Sequence, residues 1–336
     1  MKVDLFAIPP DEPARYFPGD QELRRWVRRV LEPIRDRPPN GLTKVAINLA
    51  LGFKQQGVDV RLFTRYRQPR HGAYVGIVNC PPRLARLIAN QTDCLVGPGV
   101  LNVPDDWPDM MQTSYRVKAY LQACEWQANV FRGLYGADAV KVWPVGIDTD
   151  YYKPDPNVEK RYDLMIYDKR RWPMSPPGLG VLEECLDIVS LNKLTYKVIT
   201  YGKYGRGGEK NFENLARQSR AMLFICENET QGIAYNQVLS LGLPVIAWDQ
   251  ASWCDPCRSS WGLQNVDATS IPYWSAECGE VFHNTTEFAS KLPAFIEAVH
   301  QDQYSPREYV LRELNQEKQT AEYSQLLTSL CTPFSS

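Results

Sequence analysis

The sequence predicts an α/β protein built from two doubly wound, Rossmann-like domains in tandem. Three observations carry that expectation. Short apolar runs that read as strands alternate with longer segments that read as helices, the order of a parallel sheet with crossover helices. The alternation breaks once, at the Pro- and Asp-rich "DTDYYKPDPNVEKR" (148–161), and then restarts. A length of 336 residues also exceeds one simple core.

Each element follows from its own pattern. "KVDLFAI" opens as a strand, "GLTKVAINLALGFKQQG" is a helix closed by Gly57, and "VDVRLF" is the next strand. "YVGIVN", "PRLARLIANQ" and "DCLVGPG" repeat the unit. "YRVKAYLQACEWQANVFRGLYG" reads as one or two helices, and "VKVWPVGI" as a strand leaving the first domain. After the break come strand "YDLMIYD", helix "GVLEECLDIVSLN", strand "TYKVITYG" and helix "NFENLARQSR". "AMLFIC", "AYNQVLSLG", "PVIAWD" and "CGEVFHN" continue the theme, and "TEFASKLPAFIEAVHQD" and "PREYVLRELNQEKQTAEYSQLLTSL" are terminal helices. The expected domains are residues 1–147 and 148–310, with a C-terminal helical segment, 311–336, packing back towards the first. A ligand is expected at the carboxyl ends of the strands, between the halves.

Composition narrows the class. With 44% hydrophobic and 23% charged residues the chain reads as an ordinary globular protein. Nine scattered cysteines form no disulfide framework and fit a reducing compartment. The N-terminus is charged and broken by prolines, unlike a signal peptide, and no stretch approaches the ~18 apolar residues of a membrane span. A cytoplasmic location is expected, with peripheral membrane attachment as the open alternative. Residues 1–100 hold 16 Lys and Arg against 9 Asp and Glu, a net of +7; the rest hold 22 against 30, a net of −8. A basic first half suits an anionic partner such as a lipid surface, nucleic acid or anionic glycan, though a well-solvated charged surface gives the same count.

The stretch "CENETQGIAYNQVLSLGLPVIAWD" (226–249) carries the most specific chemistry. A strand ends in a polar loop, and a helix begins near Gly232, where exposed amides and the helix dipole favour a phosphate. Gly232 lets a ligand approach the backbone closely. Glu229 precedes the helix and can accept sugar hydroxyls; Gln237, about a turn into it, can meet a ribose. A polar loop that only caps a helix fits the same residues.

"ETQGIAYNQVLSLGLPVIA" resembles the nucleotide-sugar motif of the large retaining GT-B glycosyltransferase family (glycosyltransferase family 4-like, group 1). "VKVWPVGIDTDYYKPD" resembles that family's interdomain segment, "NGLTKVAINLALGFKQQGVDVRLFT" its first glycine loop, helix and second strand, and "CEWQANVFRGLYG" the helix before the interdomain strand. The ordered set spans roughly residues 40–330.

That resemblance implies a GT-B fold, two Rossmann-like domains facing a cleft, with the acceptor on residues 1–147 and the donor on 148–310. It places Glu229 against the transferred sugar and the amides of Gly232 and Ile233 against the diphosphate. Gln237 stands where the family carries a second acid that holds the ribose, so a charge-assisted bond is lost there. The cations that follow the first strand of the donor domain are matched by Lys169, Arg170 and Arg171 in "YDKRRW"; two cations on a leaving diphosphate are what the reaction needs. Catalytic candidates are therefore Glu229 and Lys169. Donor-binding candidates are Arg170, Arg171, Gly202, Gly232, Ile233 and Gln237, and acceptor-side candidates are Asn40, Gly41 and His71.

Other signals are weaker. Asp148 and Asp150 form Asp-x-Asp, a metal signature of a different glycosyltransferase fold, but sit where an Asp caps a turn, so no metal or other cofactor is expected. Cys254 and Cys257 form a lone Cys-x-x-C, read as free thiols. The three histidines have no ligand spacing. The basic amphipathic helix "QELRRWVRRVLEPIRDR", with Arg24, Arg25, Arg28 and Arg29, suits an anionic acceptor or membrane, or simple core packing. The resulting expectation is a metal-independent, retaining hexosyl- or pentosyltransferase using a nucleotide-sugar donor and an anionic or glycan acceptor. That acceptor is a lipid-linked glycan, a polysaccharide or a modified nucleic-acid base. A nucleotide-sugar epimerase on the same fold and a non-catalytic donor-binding homologue are the alternatives.

Overall fold

The computed structural model describes residues 1–9, 41–99, 103–204, 208–256, 261–263 and 265–335. The chain divides into two compact units, one of Met1–Gln122, Leu134–Trp143 and Thr320–Ser336, the other of Ala123–Gly133 and Pro144–Gln319.

The first unit is a six-stranded parallel sheet in the order β2-β1-β3-β4-β5-β6. Its strands are β1 (Lys2–Ala7), β2 (Asp59–Phe63), β3 (Ala73–Asn79), β4 (Cys94–Val96), β5 (Val117–Gln122) and β6 (Val140–Val142). Helices α1 (Gly41–Gln55) and α2 (Pro82–Ala89) cross between strands. The segment read as one or two helices is instead β5 followed by α3 (Glu125–Tyr135). The physical reason is that only Lys118, near its start, is exposed: Ala119, Tyr120 and Leu121 occupy both faces and are all buried, so the strand shows no sustained polar alternation that would separate it from a helix by period.

The end of the chain belongs to this unit for a steric reason. Tyr323, fully buried, stands edge-on to Phe53 and Trp143, with ring centroids 6.1 and 4.8 Å away. It fits because Gly76 has no side chain: a Cβ there would lie 2.2 Å from the tyrosine hydroxyl. Gly52 makes the same allowance for Thr320. Phe334 then hydrogen-bonds along Gly72 and Ala73.

The second unit is a five-stranded parallel sheet in the order β11-β10-β9-β7-β8. The strands are β7 (Tyr162–Asp168), β8 (Tyr196–Thr200), β9 (Ser219–Ile225), β10 (Val245–Trp248) and β11 (Gly279–Phe282). The helices are α4 (Val181–Leu191), α5 (Glu209–Arg217), α6 (Ile233–Ser240), α7 (Thr285–His300) and α8 (Pro306–Glu313); α9 (Gln316–Leu330) begins here and belongs to the first unit from Thr320 onward. Alternate strand residues feed two cores. Met165, Tyr167, Met222 and Phe224 pack with Tyr235 and Val238 of α6; Leu164, Ile166, Leu223 and Ile225 pack with Val189 of α4 and Phe288 of α7. Both faces are covered, as a parallel sheet requires.

Candidate functional site

From β7 the chain crosses to β8 on one side of the sheet, then returns past β7 to β9 on the other. The carboxyl ends of β7 and β9 are therefore a topological switch point, where the two connections diverge and leave a crevice. Lys169, Arg170 and Arg171 leave β7 there, and Glu227 and Glu229 leave β9. The Lys169 N–H donates to the Ile225 carbonyl at 2.8 Å, a last backbone rung between the two strands.

Glu229 is 4% exposed, and its carboxylate pairs with the Lys169 ammonium. Arg171 Nη2 stands 3.9 Å from its other oxygen, which also accepts the Thr230 N–H at 3.1 Å. Burial pushes the Glu229 carboxyl up, but Lys169 and then Arg171 more than offset it and hold the group below its ordinary value. Burial likewise pulls the Lys169 amine down, and Glu229 more than restores it. The backbone of Glu229 is held on both sides: its N–H donates to Thr269 O at 2.9 Å, and its carbonyl accepts from Trp126 Nε1 at 2.9 Å. The Lys169 ammonium also lies 5.5 Å from the ring centroid of Tyr201, an exposed aromatic just past β8.

Arg170 does not join this group. Its Nε donates to Asp168 Oδ1 at 2.8 Å, Nη2 to Asp168 Oδ2 at 3.2 Å and Nη1 to the Gly178 carbonyl at 2.7 Å. Three of the five guanidinium donors lock the turn, and Nη1 also stands 3.8 Å from Glu183 Oε2, so of the two arginines only Arg171 faces Glu229.

Gly232, at φ +63°, precedes α6, and among the described residues no side chain caps that helix. A Cβ at Gly232 would lie 2.0 Å from the Tyr235 ring, so glycine is required by both backbone and packing. Ile233 opens the helix. Beside it both polar atoms of the Gln231 side chain are buried without a partner among the described residues, as is Asn236 Oδ1. Buried polar groups are rarely left so, which marks this N-terminus as one with unspent hydrogen-bonding capacity. Gln237 is buried on α6, and its side chain has no hydrogen-bond partner among the described residues. Gly202, at φ +73°, turns the chain after β8, beside Tyr201.

The acceptor-side candidates behave differently. Asn40, the basic helix with Arg24, Arg25, Arg28 and Arg29, and Cys257 lie outside the described residues. Gly41 begins α1, which starts at the carboxyl edge of the first sheet, whereas exposed His71 precedes β3 at the amino edge. A strand of this length separates the edges by roughly 20 Å, so the two do not share a site. Asp148 caps a turn, its Oδ1 accepting the Tyr151 N–H at 3.0 Å. Among the described residues no cluster of three or more His, Cys, Asp or Glu could hold a metal, and no helix is long and apolar enough to cross a membrane.

The site also contains Glu227, Tyr201, Trp126 and Asp168, which the sequence motifs do not nominate. Glu227 sits two residues from Glu229 in "CENE", a visible second acid. The others carry no local signal.

No family model matches the sequence, and no curated protein does. Solved structures do match in fold. AviGT4, a glycosyltransferase involved in avilamycin A biosynthesis, is 16% identical, with 98% of this chain and 97% of that one covered at a TM-score of 0.55. WaaG, a glycosyltransferase involved in lipopolysaccharide biosynthesis, is 11% identical over 97% and 100%, at 0.53. Sucrose-phosphate synthase from Thermosynechococcus elongatus is 12% identical over 98% and 98%, at 0.52. Two parallel Rossmann-like sheets, matched over nearly the whole of each chain, give this protein the GT-B fold.

Proposed function

We propose that the protein is a glycosyltransferase that moves a sugar from a nucleotide-sugar donor to an acceptor hydroxyl with retention and without a metal ion. The single observation that carries this reading is the buried Glu229 carboxylate facing Lys169 and Arg171 at the switch point of the second sheet. The uncapped start of α6 lies three residues further along the chain. In this reading the donor diphosphate takes the two cations and the amides of Gly232 and Ile233, which stabilise the charge that grows as the C1–O bond breaks. The acceptor oxygen bonds to C1 on the same face, and its proton passes to the leaving phosphate oxygen. Glu229 holds the sugar hydroxyls, and Gln237 is assigned to the ribose. The acceptor, an anionic or glycan molecule, is assigned to the basic first unit.

The test is a panel of nucleotide sugars screened by thermal shift, followed by mass spectrometry of acceptors incubated with the best donor. The expected result is one class of donor that raises the melting temperature and an acceptor that gains a hexose or pentose. Stabilisation by none of the panel, with no acceptor gaining mass, would overturn the reading.

A further inference from the structure

Glu227 is 1% exposed, yet no cationic side chain pairs with it among the described residues. Its carboxylate is met by backbone instead. The Arg171 N–H donates to Oε1 at 3.1 Å and to Oε2 at 2.9 Å, and the Trp172 N–H donates to Oε1 at 3.0 Å. The Glu227 carbonyl is in turn held by Gln250 Nε2 at 3.0 Å. A Cβ on Gly178 would come within 3.3 Å of Oε1, so the turn closes tightly around the acid.

The position of these bonds gives them a role. The β7–β9 ladder ends where Asp168 lies beside Ile225 and the Lys169 N–H reaches the Ile225 carbonyl. The next outward-facing amide of the β7 side, that of Arg171, has no backbone rung to join. The Glu227 side chain supplies one. It extends the ladder with a carboxylate in place of a carbonyl, and the peptide of the turn is clamped while its side chains peel away. Lys169 and Arg171 sit on the two clamped amides, at 169 and 171, and both turn towards Glu229. Arg170, between them, points to Asp168.

We infer that Glu227 is a positioning residue: it fixes the turn so that Lys169 and Arg171 form a preset pair of cations for a pyrophosphate group. This rests on the donor reading above and adds to it the group that keeps the two cations in place before any ligand arrives. Pre-organisation of this kind matters because a clamp that must order itself on binding spends part of its affinity doing so. Both oxygens of the Glu227 carboxylate are taken by the backbone amides of the turn, so the group acts through the turn and not on a ligand.

The test uses the full chain and inorganic pyrophosphate, with calorimetric affinities for the wild type, Glu227→Gln, Arg171→Gln, the Glu227→Gln/Arg171→Gln double variant and Lys169→Gln. Glu227→Gln keeps one acceptor oxygen and turns an N–H towards the clamped amides. It is expected to weaken pyrophosphate binding about tenfold with the melting temperature little changed, and Glu227→Asp to recover part of the loss. Because Glu227 acts through the turn, its substitution should cost much less in the Arg171→Gln background. If Glu227→Gln fails to fold, Glu227→Asp against Arg171→Gln reads the same coupling. Wild-type affinity in folded Glu227 variants, or an equal cost in both backgrounds, would overturn the positioning role. Unchanged affinity in Lys169→Gln and Arg171→Gln would instead remove the donor reading on which it stands.

Discussion

Two ion clusters, one in each unit, are built from similar parts and spend them differently. In the first unit Arg70 uses every donor it has. Nε goes to Asp4 at 2.7 Å, Nη1 to both oxygens of Asp59 at 2.8 Å, and Nη2 to the carbonyls of Val3 and Asp59 at 3.0 Å. Its own N–H donates to the other Asp4 oxygen at 2.7 Å. In the second unit Lys169 has three donors and, among the described residues, one carboxylate and one ring face to receive them. The first cluster is saturated and ties together the amino ends of β1 and β2 and the segment before β3. The second holds charge in reserve at the carboxyl ends of β7 and β9. Burial and pairing alone do not separate a staple from a site; the fraction of donors already satisfied does.

The largest effect expected from this contrast is at Glu229. Glu229→Gln should lower transfer by about 10²–10³-fold, the scale of losing one aligned polar group at a reacting centre. The same change should raise affinity for the product nucleoside diphosphate several-fold, because Lys169 and Arg171 lose the carboxylate that competes for them. Parallel measurements of turnover and diphosphate affinity check this. Weaker diphosphate binding in a folded variant would mean the pair holds nothing in reserve.

Breaking either cluster at its cation sharpens the comparison through stability. Arg70→Gln leaves Asp4 fully buried without its cation and should cost about 3–5 kcal/mol while leaving diphosphate affinity unchanged. Lys169→Gln should destabilise less and abolish diphosphate binding, and its pH dependence should differ in sign from that of the wild type. In the wild type the Glu229 pKa is depressed on folding, so its contribution is complete above the ordinary carboxylate value and is lost as acid carries the pH down through the depressed one. Without Lys169, burial, the largest influence on the group, is opposed only by Arg171 and the Thr230 N–H, and the pKa is expected to rise above its unfolded value. Stability is then full below the unfolded value and falls as pH rises through the raised one. Denaturant titrations at about pH 5 and pH 8 should find Lys169→Gln relatively more stable at the lower pH.

The smallest effect expected is none. If Lys169, Arg171 and the amides at α6 neutralise the diphosphate, EDTA should leave transfer unchanged. A loss restored by Mg²⁺ or Mn²⁺ would move the charge compensation off this cluster and return Asp148 and Asp150 to consideration.

Much of this was legible in the chain. The strand "AMLFIC" and the helix "AYNQVLSLG", with Gly232 between them, are where local pattern puts them, and Gly57 closes α1 in the left-handed conformation expected of it. Glu229 and Lys169 could be nominated from residue type and motif. Arg170 and Arg171 could not be told apart, because adjacent side chains leave a turn in different directions and only the turn's own bonds decide which. Asp168 takes one; Glu229 faces the other. The pattern of β5 suits a helix as well as a strand, because beyond the exposed Lys118 its residues are buried on both faces and keep no polar alternation.

By itself the sequence determined most of the alternation of strands and helices and the glycine that lets α6 begin beside a polar loop. These are local matters of period, φ angle and propensity, settled within a few residues. Only the tertiary structure decided that β7 lies next to β9, with β8 on its far side. That adjacency brings Lys169 to a carboxylate sixty residues away and Arg171 to the reach of Glu227. Parallel strands are paired through crossovers, so their order is carried by packing across the whole sheet rather than by neighbours in sequence.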